Sequence, residues 1–140
     1  MRDLGKAYRS GADTRVHPAW WYWTPAIGYA ALIFFFSSLS LPEEYVPYPM
    51  MGLGDKVLHA IEYGVLGILM YRAFRYAAGA WSGSRALLLA VIASTTYGLT
   101  DELHQFFVPL READVWDFLT DAVGSSIAAW GWARFIEPPP

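Results

Sequence analysis

Between Tyr97 and Asp121 the chain reads YGLTDELHQFFVPLREADVWDFLTD, and this stretch constrains the fold more than any other. Asp101, Glu102, His104 and Gln105 crowd the end of one apolar run, while Asp114, Asp117 and Asp121 open the next, with Pro109 between them. Ionisable groups set into hydrophobic segments are costly, and they mark sites or internal pairs rather than ordinary packing. The pattern has an upstream partner, since Asp55, His59 and Glu62 open the apolar run that ends at Tyr71. A workable fold has to gather these three polar sets and turn the apolar remainder outward.

Composition supports that inversion. Of 140 residues, 55% are hydrophobic and 17% aromatic, which is high for a soluble domain of this size and points to a membrane class. There is no cysteine, so disulfides and thiolate metal sites are excluded. Residues 1–19 are polar, contain arginine and lack periodicity, as in a tail. From Trp20 to Leu41 there is no charge. At a rise of about 1.5 Å per residue that run crosses a hydrocarbon core about 30 Å thick. It also exceeds the ~7–15 apolar residues of a cleaved leader, which favours a retained span.

Residues 42–54 carry three prolines and two glycines and read as a loop. The apolar segment from Val57 to Tyr71 approaches the ~20 residues of a span only when its polar opening is included. The same holds for the third segment, from Ala86 to Val108, which needs Asp101 to Phe107 to complete it. Arg72, Arg75 and Arg85 frame a Gly- and Ser-containing link between the two. The reading is all-α: a polytopic four-helix transmembrane bundle over residues 20–136, with spans at about 20–41, 55–76, 85–107 and 114–134 and a short tail at 137–140.

Loops rich in Lys and Arg stay cytoplasmic. Alternating four spans puts Arg2, Lys6, Arg9, Arg15, Arg72, Arg75, Arg85 and Arg134, eight of the ten basic residues, on one side, leaving Lys56 and Arg111 on the other. Both termini are thus expected in the cytoplasm of a bacterial cell, with the protein multi-pass in its inner membrane. Trp20, Trp21, Trp23, Trp81, Trp130 and Trp132 then fall at the inner interface, and Tyr45, Tyr48, Phe107 and Trp116 at the outer one.

In this topology the second helix begins, the third ends and the fourth begins on the outer side. Helical spacing sets Asp55, His59 and Glu62 on one face, Asp101, His104 and Gln105 on another, and Asp114, Asp117 and Asp121 on a third. The expected result is an outward-opening acidic cavity, with Glu102 on its floor and Lys56 and Arg111 at its mouth. Other roles compete. Asp55 and Asp114 stand where helix N-caps belong, His59 and His104 suit hydrogen bonds between helices, and Glu62, Asp101 and Asp121 suit internal pairing. Gly64, Gly67, Gly124, Ser125, Ser126 and Ala128 read as close helix contacts. No cofactor is expected. A divalent cation is the alternative, since His59-x-x-Glu62 and Asp101-x-x-His104 set imidazole and carboxylate one turn apart. Phosphate-binding glycine loops are absent, and the acidic outer face argues against nucleic acid.

The segments DKVLHAIEYGVLG, from Asp55 to Gly67, and TDELHQFFVPLREADVWDFLTDAVG, from Thr100 to Gly124, resemble the VanZ-like family of small bacterial membrane proteins. The core pattern DE-x-HQ-x-F-x-P-x-R carries the likeness. Two positions depart from it: Leu110, where the family often has glycine, and Asp121, where asparagine is common. The resemblance implies a protein of the cell envelope, in a family named for glycopeptide resistance, specifically to teicoplanin. The expected partners are membrane lipids and an amphiphilic envelope molecule such as a lipid-linked wall precursor, with oligomeric state open. A membrane-embedded, metal-assisted hydrolase or transferase and a non-catalytic assembly partner are the competing readings.

Overall fold

The structure is a computed structural model that describes residues 17–40, 53–77 and 83–137. Most of the amino-terminal tail, the proline-rich loop at 41–52 with Tyr45 and Tyr48, the link at 78–82 with Trp81, and the final prolines lie outside the described residues. Four α-helices follow in order: α1 (Ala19–Ser37), α2 (Leu53–Tyr76), α3 (Gly83–Gln105) and α4 (Val115–Gly131). A π-type turn, Trp132–Ile136, extends α4. No strand occurs among the described residues, so the all-α expectation holds.

Local chemistry sets the helix ends. Asp114 has extended backbone, and its carboxylate accepts the Trp116 N–H at 2.9 Å, capping the free amide groups of α4. At the end of α3, Pro109 follows four residues after Gln105 and cannot continue the helical bonding pattern. The turn includes Leu110 at φ 64°, left-handed backbone that disfavours a side chain with a Cβ. Arg111 then reaches back to α1, donating from Nε to the Leu39 carbonyl and from Nη2 to the Phe36 carbonyl, both at 3.2 Å. These contacts fasten the turn before α4 to carbonyls at and just beyond the end of α1.

The helices alternate in direction. α2 and α4 run parallel, shown by Lys56 meeting Asp114 at one end and Arg75 meeting Glu137 at the other, with Nε to Oε1 at 2.8 Å. Burial raises the Glu137 carboxyl above its ordinary range, and the Arg75 guanidinium is the charge set against that cost. Small residues bring α2 and α4 together. A Cβ added at Gly67 would stand 2.6 Å from the Ser125 carbonyl oxygen, and one at Gly124 would overlap the backbone of Ala60. α1 packs mainly on α2 and touches α3, with Trp23 edge-on to Phe74 of α2 and Tyr97 of α3 donating to the Ala30 carbonyl at 2.6 Å.

Burial is inverted relative to a water-soluble bundle. α3 buries Ala86, Ala90, Ser94, Gly98, Asp101, Glu102 and Gln105, and α4 buries Asp117, Asp121, Ser125 and Ala129, stripes that repeat about every fourth residue. The exposed faces carry Ile27, Leu32, Phe34, Phe35, Phe36, Ile61, Leu88, Ile92, Leu99, Leu103, Val123 and Ile127. An apolar exterior of that extent marks a surface built for something other than water. By length and composition, one helix among the described residues, Gly54–Tyr76, is apolar enough to cross a membrane. α1 is uncharged but rich in Trp and Tyr, and α3 and α4 carry acidic groups, which lowers their hydropathy.

Candidate functional site

The polar sets converge at the end of the bundle where α2 and α4 begin and α3 finishes. Lys56 of α2 sits at the rim. Its Nζ donates to Asp114 Oδ2 at 2.6 Å and closely to Asp117, and lies 4.0 Å from Asp55. One turn deeper, His59 Nδ1 is 3.0 Å from Asp121 Oδ1, and the Asp121 side chain is fully buried. Parallel packing of α2 and α4 produces this ladder, because each step of one turn along α2 meets a step of one turn along α4.

α3 closes the third side. Glu102 Oε2 accepts the Asp114 backbone N–H at 2.8 Å, tying the end of α3 to the start of α4. Asp101 and Gln105 are buried together, with the Gln105 amide donating to Asp101 Oδ2 at 3.3 Å. Tyr63, one turn beyond His59 with its ring parallel at 6.5 Å, is buried beneath the cluster. Among the described residues, two buried carboxylate oxygens here, Glu102 Oε1 and Asp121 Oδ2, have no hydrogen-bond partner, and the Tyr63 hydroxyl lies beside the Asp101 carboxylate. Leaving such groups unpaired typically costs about 1–3 kcal/mol each.

Two sequence expectations look different in this geometry. His104 does not face the carboxylates; it stacks on Phe34 of α1 with centroids 4.5 Å apart, its Nε2 3.0 Å from Ser38 Oγ. Helical spacing alone grouped it with Asp101 and Gln105, but α1 occupies the adjacent groove and takes the imidazole. Arg111 is likewise engaged with the carbonyls at the end of α1, and Lys56 with two aspartates, so both basic groups of this end have partners within the chain. Asp101, Glu102, Gln105, Asp117 and Asp121 are all buried, so these groups touch one another instead of lining a wide basin. Glu62 is half-buried.

Beside the cluster, the outer face of the α2–α4 seam forms a groove of about 580 Å³ lined by Ala60, Ile61, Gly64, Val65, Val123 and Ile127 among others. Its lining includes Ala60 and Thr120, which are next in sequence to His59 and Asp121. The spacing of charged residues marks neither Tyr63 nor the groove. Tyr63 is signalled by its spacing from His59, and the groove by the small residues Ala60, Gly64, Gly124 and Ala128 on facing helices.

Together these features define an all-helical protein with a polar interior at one end and an apolar exterior. The family model VanZ/LLP1 matches residues 19–136, nearly the whole described chain, and the protein belongs to this family. No curated protein and no solved structure matches it.

Proposed function

We propose that this protein is a four-span component of the bacterial cytoplasmic membrane, with both termini inside, that binds an amphiphilic envelope molecule at its outer end. The single observation that carries this reading is the α2–α4 groove: an apolar channel on the bundle exterior that begins at Ala60 and Thr120, the sequence neighbours of His59 and Asp121. An acyl or prenyl chain in that groove would bring its head group to Lys56, Asp55, Asp114 and Asp117. The exposed apolar faces of all four helices support the membrane setting, since each helix needs an apolar surround on the side facing away from the others.

The chemistry of this end narrows the head group. Lys56 and Arg111 already have acceptors within the chain, whereas Asp55 and Asp114 remain partly exposed. An acceptor-rich mouth favours donors, namely sugar hydroxyls or an ammonium group, over a bare phosphate. A glycosylated, lipid-linked wall intermediate has this character, and sequestering or shielding one is a route by which susceptibility to glycopeptides such as teicoplanin would change.

Val123→Trp tests the reading by filling the groove from its lipid-facing side. Lipids that co-purify with the full chain should include an enriched glycosylated amphiphile, and the variant should lose it while keeping its helix content. Wild-type protein carrying bulk phospholipid alone, or equal enrichment in the variant, contradicts the proposal.

A further inference from the structure

We propose that His59, Glu102 and Asp121 form a binding site for one divalent transition-metal ion of the zinc or manganese type. One ligand atom from each of the three lies within 4.8 Å of the others. Ligands at about 2.0–2.2 Å from such an ion stand at most roughly 4 Å apart, so small side-chain rotations close the set. A second group, Asp55, His59 and Asp117, shares the same imidazole and lies nearer the rim. His59 therefore joins an outer pair of carboxylates to an inner pair, and Lys56 already neutralises Asp117 of the outer one.

Independent support comes from unsatisfied oxygens. Asp121 is 0% exposed and Glu102 5% exposed, and each keeps one buried oxygen, Oδ2 and Oε1, without a hydrogen-bond donor. The nearby ammonium, Lys56, is committed to Asp114 and Asp117. Two buried carboxylates around a divalent cation make a neutral unit, which removes the cost of placing like charges side by side in a low-dielectric interior. One imidazole with two carboxylates suits zinc or manganese better than calcium or magnesium, which prefer oxygen ligands alone.

The set also has fixed orientation. Glu102 is held through Oε2 by the Asp114 N–H, and His59 lies parallel to the Tyr63 ring above the buried floor. Such outer contacts are what keep ligands aligned in established metal sites. The proposed site does not depend on occupancy of the α2–α4 groove.

Manganese titration of the purified full chain in detergent, followed by loss of the free-ion electron paramagnetic resonance signal, provides the test. Wild type should take up one Mn²⁺ per chain, with Zn²⁺ competing. Glu102→Gln keeps an acceptor for the Asp114 N–H, so it should fold as wild type yet bind more than about tenfold more weakly; Asp121→Asn should do the same. Glu112→Gln, an exposed carboxylate outside the cluster, and Val123→Trp should bind as wild type. Absence of saturable binding by wild type overturns the proposal. So does unchanged affinity in Glu102→Gln with its helical content intact.

Discussion

The seam between α2 and α4 has two halves made by the same pair of helices. In the half nearer the basic end, Gly64, Gly67 and Gly124 let backbones meet, with Ser125 and Ala128 opposite. In the other half Lys56, His59, Asp117 and Asp121 meet through ions and hydrogen bonds. Close backbone packing gains dispersion contacts over a broad area and needs no desolvation. Buried charge does the opposite: its attraction is largely offset by the cost of leaving water, and here two carboxylate oxygens stay unpaired. The contrast assigns cohesion to the glycine half, with the polar half contributing less net stability.

Gly124→Val should break the seam most severely. The added side chain overlaps the Ala60 backbone, which cannot move aside as a flexible side chain would, and overpacking of this kind costs about 3 kcal/mol or more. Loss of the monodisperse species in gel filtration, and a sharply lowered unfolding midpoint, would register it. Tolerance of valine at Gly124 would place cohesion elsewhere.

In the polar half, the double substitution His59→Gln with Asp121→Asn should be nearly neutral, within about 1 kcal/mol when measured with chelator present, because a neutral hydrogen-bonded pair avoids the desolvation cost. Unfolding in graded denaturant checks this. Destabilisation as large as that of Gly124→Val would make the ion pair a structural lock.

A smaller effect of opposite sign is expected outside the seam. Leu110 has φ 64°, where glycine is free of the steric clash that a Cβ brings. Leu110→Gly should therefore stabilise the turn joining α3 to α4 by up to about 1 kcal/mol, net of the entropy glycine adds to the unfolded chain. A drop in the unfolding midpoint would contradict it.

Much of this was readable from the sequence because helical spacing is local. The three polar faces, the small-residue contacts and the four helices follow from residues three or four positions apart, and Asp114 caps α4 as its placement suggested. What spacing does not encode is which neighbour fills each groove. His104 turned to Phe34 and Ser38, and Arg111 to the carbonyls of Phe36 and Leu39, because α1 packs at that end, a fact held in no motif. The inward extent of the cluster was also hidden. Asp121 keeps a fully buried carboxylate 3.0 Å from His59 on the facing helix, a pairing that spacing within α4 does not reveal.

In the proposed membrane placement, the polar end of this apolar-surfaced bundle faces outward. The chain has no cysteine, so single replacements report position without background. Glu112→Cys stands at the polar end, in the turn before α4, and Ser84→Cys at the opposite end, at the start of α3; both native residues are exposed. An impermeant thiol reagent applied to intact cells should label Glu112→Cys, and should label Ser84→Cys only after the membrane is permeabilised. Labelling of Ser84→Cys in intact cells with Glu112→Cys protected would turn the site toward the cytoplasm and contradict the account.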